Sequence, residues 1–170
     1  PLVNLFTIIT AALATSLVPA VSEAYAVGDS EQTYRRTAAA MRLANIVTIP
    51  GGIGLWLLAE PIAAMIYHAP QASESIKILA ASVFLRGIHQ VTTGVLQGMG
   101  RTTIPVVNMG AAAVVKVTLN WILTAMPALG IKGASWATVA DIGVAAILNM
   151  YFVNRYTGFV LDLSNVFKSG

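Results

Sequence analysis

Three charged side chains interrupt stretches of sequence that are otherwise apolar. Arg86, Lys116 and Asp141 each lie near the middle of a separate run of about twenty residues, the length of helix that crosses the ~30 Å hydrocarbon core of a bilayer. An ionisable group at that depth costs at least ~2.5–3.5 kcal/mol, so it usually faces a bundle interior or a watery cavity. An arginine and a lysine in such a cavity can bind a phosphate or another anion, the arginine in bidentate fashion and the lysine as a point charge.

The same three charges allow two other interpretations. Two cations and one anion at similar depth predict one ion pair and one positive charge left over. Such a pair can serve only to fix the packing of helices. Asp141 can also be a coupling-ion or proton site, a frequent role of carboxylates inside membranes. These alternatives stay open at the level of sequence.

Polar and small residues line one face of each of the three charged runs. They recur every three or four residues, which places them on one side of a helix: Arg86, Gln90, Thr93 and Gln97; Asn108, Ala112, Lys116 and Asn120; Ser135, Thr138, Asp141 and Asn149. Polar and small side chains do not stabilise a surface that faces lipid, so these faces should point towards the interior of the bundle. The candidate cavity residues are Arg86, Gln90, Lys116 and Asn120, with Asp141 as the coupling or charge-balancing group. Gln97 and Asn149 lie near the ends of their runs and could instead be solvated.

Composition excludes several classes of protein. Charged residues make up 10% of the chain and hydrophobic residues 56%, whereas soluble domains carry ~25% charged residues. The net charge of +3 is too small to predict binding to nucleic acid. The sequence contains no cysteine, phosphate-binding loop, dinucleotide fingerprint, zinc-binding His-Glu-x-x-His or nucleophile elbow. We therefore expect no metal, no cofactor and no enzymatic activity.

The chain is predicted to be an all-α, polytopic membrane bundle with five transmembrane helices. The spans are expected at about 2–22, 43–67, 76–97, 103–126 and 131–154. Asp29 and Gln32 have capping-box spacing, so a connector helix over 30–42 should begin near Ser30 and continue into the second span. Pro50 and the glycines that follow it predict a kink or a close helix contact in that span. The chain opens on Pro1 inside an apolar run, which favours a piece of a longer protein.

Loop charges predict the orientation of the spans. Arg35, Arg36, Arg42, Arg101, Arg155 and Lys168 fall on one side, and Lys77 and Lys132 fall on the other. Because cytoplasmic loops hold the excess of lysine and arginine, residues 23–42, 98–102 and the tail at 155–170 should be cytoplasmic. The lipid bilayer is thus the first expected partner.

The order of several short motifs resembles a known family. The motifs are Pro50-Gly51-Gly52-Ile53-Gly54, Leu96-Gln97-Gly98-Met99-Gly100-Arg101, Pro105, Lys116 with Asn120, and Gly130-Ile131-Lys132-Gly133-Ala134. Together they resemble SpoVB-type polysaccharide biosynthesis and export proteins of the MATE-like MOP flippase superfamily. Lys116 and Asn120 match the Lys-x-x-x-Asn of that pattern, whereas Arg86 and Asp141 match no motif of the family.

The resemblance implies two lobes of membrane helices around a central cavity, with residues 1–170 forming part of the C-terminal lobe. It implies a flippase that moves polyprenyl-linked oligosaccharides, or another amphiphilic anion, by alternating access. The N-terminal lobe of the same protein would then be a partner of this chain. A cation-coupled multidrug exporter of the same architecture and a non-transporting scaffold for envelope assembly are the alternatives.

Overall fold

A computed structural model describes residues 2–66, 68, 72–126 and 131–160. Within these ranges the regular elements are six α-helices and no strand. They are α1 (Leu2–Ala26), α2 (Ser30–Leu57), α3 (Ala59–Met65), α4 (Ala72–Gly98), α5 (Thr103–Thr124) and α6 (Ile131–Thr157). The all-α helical bundle predicted from the sequence is confirmed. Residues 161–170 of the predicted tail lie outside the described residues.

The second predicted span is not one helix. The expected connector helix does run on without a break as α2, but α2 ends at Leu57, and a separate short helix, α3, begins at Ala59. Proline in a helix interior lacks an N–H and clashes with the carbonyl four residues earlier. Pro61 would place that clash on Leu57, whereas in the first turn of a new helix the missing N–H costs nothing. The prediction of a single helix to residue 67 is therefore wrong, and Pro61 is the reason.

Four of the described helices, α1, α2, α5 and α6, are long and apolar enough to cross a membrane. This count is one short of the five predicted spans. α4 has 27 residues but carries Glu74, Lys77 and Arg86 along its length. α4 is also the central helix, since it packs against α1, α2, α3 and α6. Its polar side chains can therefore be covered by protein, which is why it need not be apolar all round.

Two turns at the same end of the bundle follow one design. α1 and α4 each end in a glycine with positive φ, Gly28 at 73° and Gly100 at 74°. The N–H of the next residue closes each turn: Asp29 donates to the Ala24 carbonyl at 3.0 Å, and Arg101 to the Leu96 carbonyl at 2.9 Å. This is the Schellman motif, in which glycine adopts the left-handed conformation without a steric cost.

Asp29 also begins the next helix. Its Oδ1 accepts a hydrogen bond from the Gln32 N–H at 2.8 Å, so the predicted N-cap is present and α2 begins at Ser30 as expected. A turn of three residues thus ends one helix and starts another.

Two helices cross α4 closely at positions where one of the partners carries glycine. A Cβ on Gly94 would lie 2.7 Å from the Ala14 carbonyl oxygen of α1. A Cβ on Gly52 of α2 would lie 3.1 Å from the Ala80 carbonyl oxygen. The close contact predicted after Pro50 is therefore present, between α2 and α4. Small residues permit such approach, and close packing is the main attraction between helices in lipid.

Polar side chains are buried and large apolar side chains are exposed, which is the reverse of the distribution in a soluble protein. Fully buried positions include polar residues such as Thr37, Thr48, Thr92 and Asn149, whereas Trp121 is 80% exposed. Large exposed apolar surfaces mark contact with a membrane or another protein. Water does not favour this arrangement, and a bilayer does.

The close crossing of α4 and α1 generates a prediction about Gly94. Gly94→Ala should destabilise the bundle by about 1–3 kcal/mol, because the added methyl group meets backbone that must shift. Gly110→Ala is the matched control: a Cβ there has no neighbour within 4 Å, and alanine favours helix over glycine by about 1 kcal/mol. Thermal unfolding of both variants in detergent measures the difference. Equal stabilities would contradict the assigned crossing.

Candidate polar seam and anion site

An ion pair joins α5 to α6 near the middle of both helices. The Lys116 Nζ lies 3.3 Å from the Asp141 Oδ2. The Lys116 side chain is 45% exposed and the Asp141 side chain 20% exposed. The two central charges of neighbouring helices are thus partners, and they neutralise each other.

A hydrogen-bonded network lies on the same helices, nearer the end that holds the two glycine turns. The Asn108 Nδ2 of α5 donates to the Asn149 Oδ1 of α6 at 2.8 Å. The Asn149 Nδ2 in turn donates to the Thr93 Oγ1 of α4 at 3.0 Å. Asn149 is fully buried, so the interpretation that it is solvated near a span end is wrong. Gln97, the other residue given that interpretation, is exposed.

One antiparallel register explains both contacts. When two helices run antiparallel, a contact of residue i with residue j is followed one turn later by i+4 with j−4. Asn108 with Asn149 and Lys116 with Asp141 are two such steps apart. Ala112 and Ala145 occupy the step between them, and both are buried. We call these three pairs the polar seam: Asn108–Asn149, Ala112–Ala145 and Lys116–Asp141.

Arg86 lies at the depth of the ion pair. Thr93 meets Asn149, and α4 and α6 run parallel, so the same offset places Asp141 level with residue 85. His89, one turn from Arg86, lies within electrostatic range of both Arg86 and Asp141. The three charges singled out in the sequence therefore share one layer of the bundle.

Arg86 is the cation without a partner in this layer. No carboxylate of the described residues forms an ion pair with it, and its buried Nε has no hydrogen-bond acceptor among them. A buried donor left unpaired is costly and calls for an acceptor such as water or an anion. The layer thus combines a neutral Lys116–Asp141 pair with a guanidinium that is free to bind.

The two remaining candidate residues flank this layer. Gln90 lies one turn from Arg86 on α4, half-buried. Asn120 lies one turn from Lys116 on α5 and is exposed. Neither side chain hydrogen-bonds to another part of the chain that the structure describes. No group of three potential metal ligands occurs among the described residues.

Most of the described serines and threonines bond their own helix backbone, as Thr92 does to the Ile88 carbonyl at 2.8 Å.

The sequence contained a signal for the seam that spacing on single helices did not reveal. Asn108 and Lys116 are eight residues apart on one helix, and Asp141 and Asn149 are eight apart on the next. When two consecutive antiparallel helices each carry two polar residues at the same spacing, one register brings both polar pairs into contact. That register would have predicted that Asn149 is buried against Asn108.

The fold and the seam define a multi-pass α-helical membrane protein with a charged layer inside its bundle. The MatE family model matches residues 1–122 of this chain. The chain therefore belongs to the MatE family, and the resemblance to the MOP flippase superfamily is confirmed.

Two curated proteins of Bacillus subtilis (strain 168) are similar to the chain. Stage V sporulation protein B is 30% identical over 157 residues, which cover 91% of this chain and 30% of that protein. The uncharacterized membrane protein YabM is 29% identical over 151 residues, which cover 89% of this chain and 28% of that protein. The chain thus spans less than a third of the length of either relative. No solved structure matches it significantly.

The ion pair in the seam generates a prediction. Lys116→Met and Asp141→Asn should each destabilise the bundle, because each leaves one charge or dipole without its partner. The double variant should recover part of the loss, with a coupling free energy of about 1 kcal/mol or more for a pair that is half shielded from water. A double-mutant cycle of unfolding free energies in detergent measures this coupling. Strictly additive losses would show that the pair contributes nothing to folding.

Proposed function

We propose that this chain is the larger part of the C-terminal lobe of a flippase that moves polyprenyl-linked oligosaccharide precursors across the membrane by alternating access. The substrate would serve the synthesis of cell-wall or surface polysaccharide. Membership of the MatE family and the similarity to stage V sporulation protein B support transport in preference to an enzymatic role. Alternating access needs both halves of a cavity, so the activity belongs to the whole protein.

The observation that carries the proposal is the unpaired guanidinium of Arg86. Its buried Nε lacks an acceptor among the described residues, and the adjacent Lys116–Asp141 pair is electrically neutral. The layer therefore carries one net positive charge with histidine neutral. A lipid-linked phosphate supplies several acceptor oxygens and negative charge, which suit the planar fork of an arginine.

The ion pair gives the site a way to respond to an anion. Asp141 competes with any bound anion for Lys116, because both would accept from the same ammonium group. An anion seated on Arg86 would draw Lys116 towards it and weaken the contact between α5 and α6 at this depth. The tight turn at Gly100 would keep α4 and α5 moving as one unit, as rigid-body rocking of a lobe requires.

A second candidate function rests on Asp141. It is an intramembrane carboxylate that is partly accessible, with His89 within electrostatic range. Such a group can bind a coupling proton or cation, and a cation-coupled multidrug exporter would use it in that way. A non-transporting membrane scaffold would need neither Arg86 nor Asp141.

The test compares arginines inside and outside the layer in the full-length protein. Arg86→Gln should reduce translocation of a fluorescent polyprenyl-diphosphate oligosaccharide in proteoliposomes by at least about tenfold, because a charge-assisted hydrogen bond to the phosphate is lost. Arg155→Gln is the control, since Arg155 is exposed near the end of α6. Both proteins must reach the membrane in equal amounts.

The other outcomes separate the candidates. Substrate-dependent proton or sodium movement that Asp141→Asn abolishes, with no response to the lipid-linked sugar, would favour the exporter. Wild-type transport by both Arg86→Gln and Asp141→Asn would overturn the roles proposed for these two residues, and the absence of any transport by the wild-type protein would favour the scaffold.

A further inference from the structure

An apolar groove lies on α4, between α2 and α6. It has a volume of about 620 Å³. Apart from Lys77 and Thr48, the side chains that line it are apolar. α2 and α6 hardly touch each other, so α4 forms the floor of an open channel between them.

The groove has an amphipathic mouth and an apolar interior. Trp56 of α2 and Trp136 of α6 stand near one end, together with Lys77, whose Nζ lies 5.9 Å from the centroid of the Trp56 ring. Phe84 lies near the other end. Tryptophan and lysine favour the level of lipid headgroups, where an apolar body and a polar tip are both satisfied.

The length of the groove fits one leaflet. Seven residues separate Lys77 from Phe84, which is ~10 Å along a helix. Half of the hydrocarbon core of a bilayer is ~15 Å thick. A chain that enters beside Lys77 would therefore run from the headgroup level through most of one leaflet.

The charges at the mouth indicate which headgroup fits. The Lys77 Nζ lies 2.7 Å from the Glu60 Oε1, and the Glu60 side chain is 72% exposed. The second pair at this end of the bundle, Lys132 with Glu74, is likewise neutral. The hydrogen bond from Lys132 lowers the pKa of the exposed Glu74 carboxyl, which keeps that pair charged at neutral pH. The end of the bundle that holds these two ion pairs therefore presents adjacent opposite charges that cancel. The opposite end of the bundle is rich in arginine.

We infer that the groove binds one acyl chain of a zwitterionic phospholipid, with the phosphate on Lys77 and the headgroup ammonium on Glu60. An ethanolamine headgroup has this order of charges and can donate hydrogen bonds to the carboxylate. An anionic headgroup such as glycerol phosphate would offer Glu60 no cation. The site is distinct from the charged layer, and it does not depend on the transport function proposed above.

The test is lipid titration of the full-length protein by native mass spectrometry, with phosphatidylethanolamine and phosphatidylglycerol of identical acyl chains. Phosphatidylethanolamine should be retained roughly threefold to fivefold better, the ratio expected for an exposed pair of charges. Glu60→Gln should abolish that preference, whereas Lys77→Gln should lower the retention of both lipids, because both carry the phosphate that Lys77 would bind. Lys132→Gln is the matched control: it removes a lysine from the same end outside the groove and should keep the preference.

Two further variants test the groove itself. Ala81→Trp should lower the retention of both lipids, because the new ring fills the channel. A photo-crosslinking residue at position 81 should be recovered attached to lipid. Equal or better retention of phosphatidylglycerol, identical behaviour of Lys77→Gln and Lys132→Gln, or cross-links from position 81 to a protein segment would each overturn the inference. Thermal unfolding of every variant confirms that a loss of binding is not a loss of fold.

Discussion

A charged side chain in the apolar middle of a membrane helix must find a partner within the bundle, and the Lys116–Asp141 pair is how this chain meets that demand. The pair fixes α5 against α6 in a single register, since a shift by one turn would leave both charges in lipid. The Asn108–Asn149 contact is satisfied only in the same register. Because Asn149 also donates to Thr93, the register of α6 on α4 is set together with that of α5 on α6.

The packing of the other helices follows from what α4 can tolerate. α4 is surrounded by α1, α2 and α6, so it can carry Arg86 and other polar groups that a lipid-facing helix could not. Glycine at its crossing points brings α1 and α2 close enough for backbone contact. The exposed apolar side chains of α5 then face outward, where a bilayer accepts them. This arrangement leaves the half-buried Arg86 as the cation of the described charged layer whose Nε lacks an acceptor, and that unpaired donor is what the layer offers to an anion.

The sequence predicted those features that depend on local chemistry. The cap at Asp29, the start of α2 and the close contact after Pro50 each follow from a few adjacent residues. The break at Leu58 was missed because the apolar pattern continues through Pro61, and hydropathy does not register a lost N–H. The most apolar stretch of α4 is less apolar than those of the four membrane-spanning candidates, although its neighbours bury Thr92 and partly cover Arg86 and Gln90. Whether Asn149 is buried or solvated stayed open in the sequence, because its distance from the span end was considered without its partner on α5.

Identification of the site required contacts between helices, which no single helix encodes. At the level of sequence, Lys116 and Arg86 are equivalent as candidate cations. Only the packing distinguishes the lysine, paired with Asp141, from the arginine, whose Nε is unpaired. The roles of Gln90 and Asn120 in a substrate cavity stay predictions, since both lie beside the layer without a described partner.

Water accessibility along α5 tests most directly whether the seam faces a hydrated space. The sequence has no cysteine, so single cysteines can be placed without background from this chain. Asn120→Cys, one turn from Lys116, should react in intact membranes with a charged, water-soluble thiol reagent. Val114→Cys, which is exposed and lies on the opposite side of α5 from Lys116, should react only with a membrane-soluble reagent. Equal protection of both positions from the charged reagent, or equal labelling of both, would contradict an inward-facing polar seam.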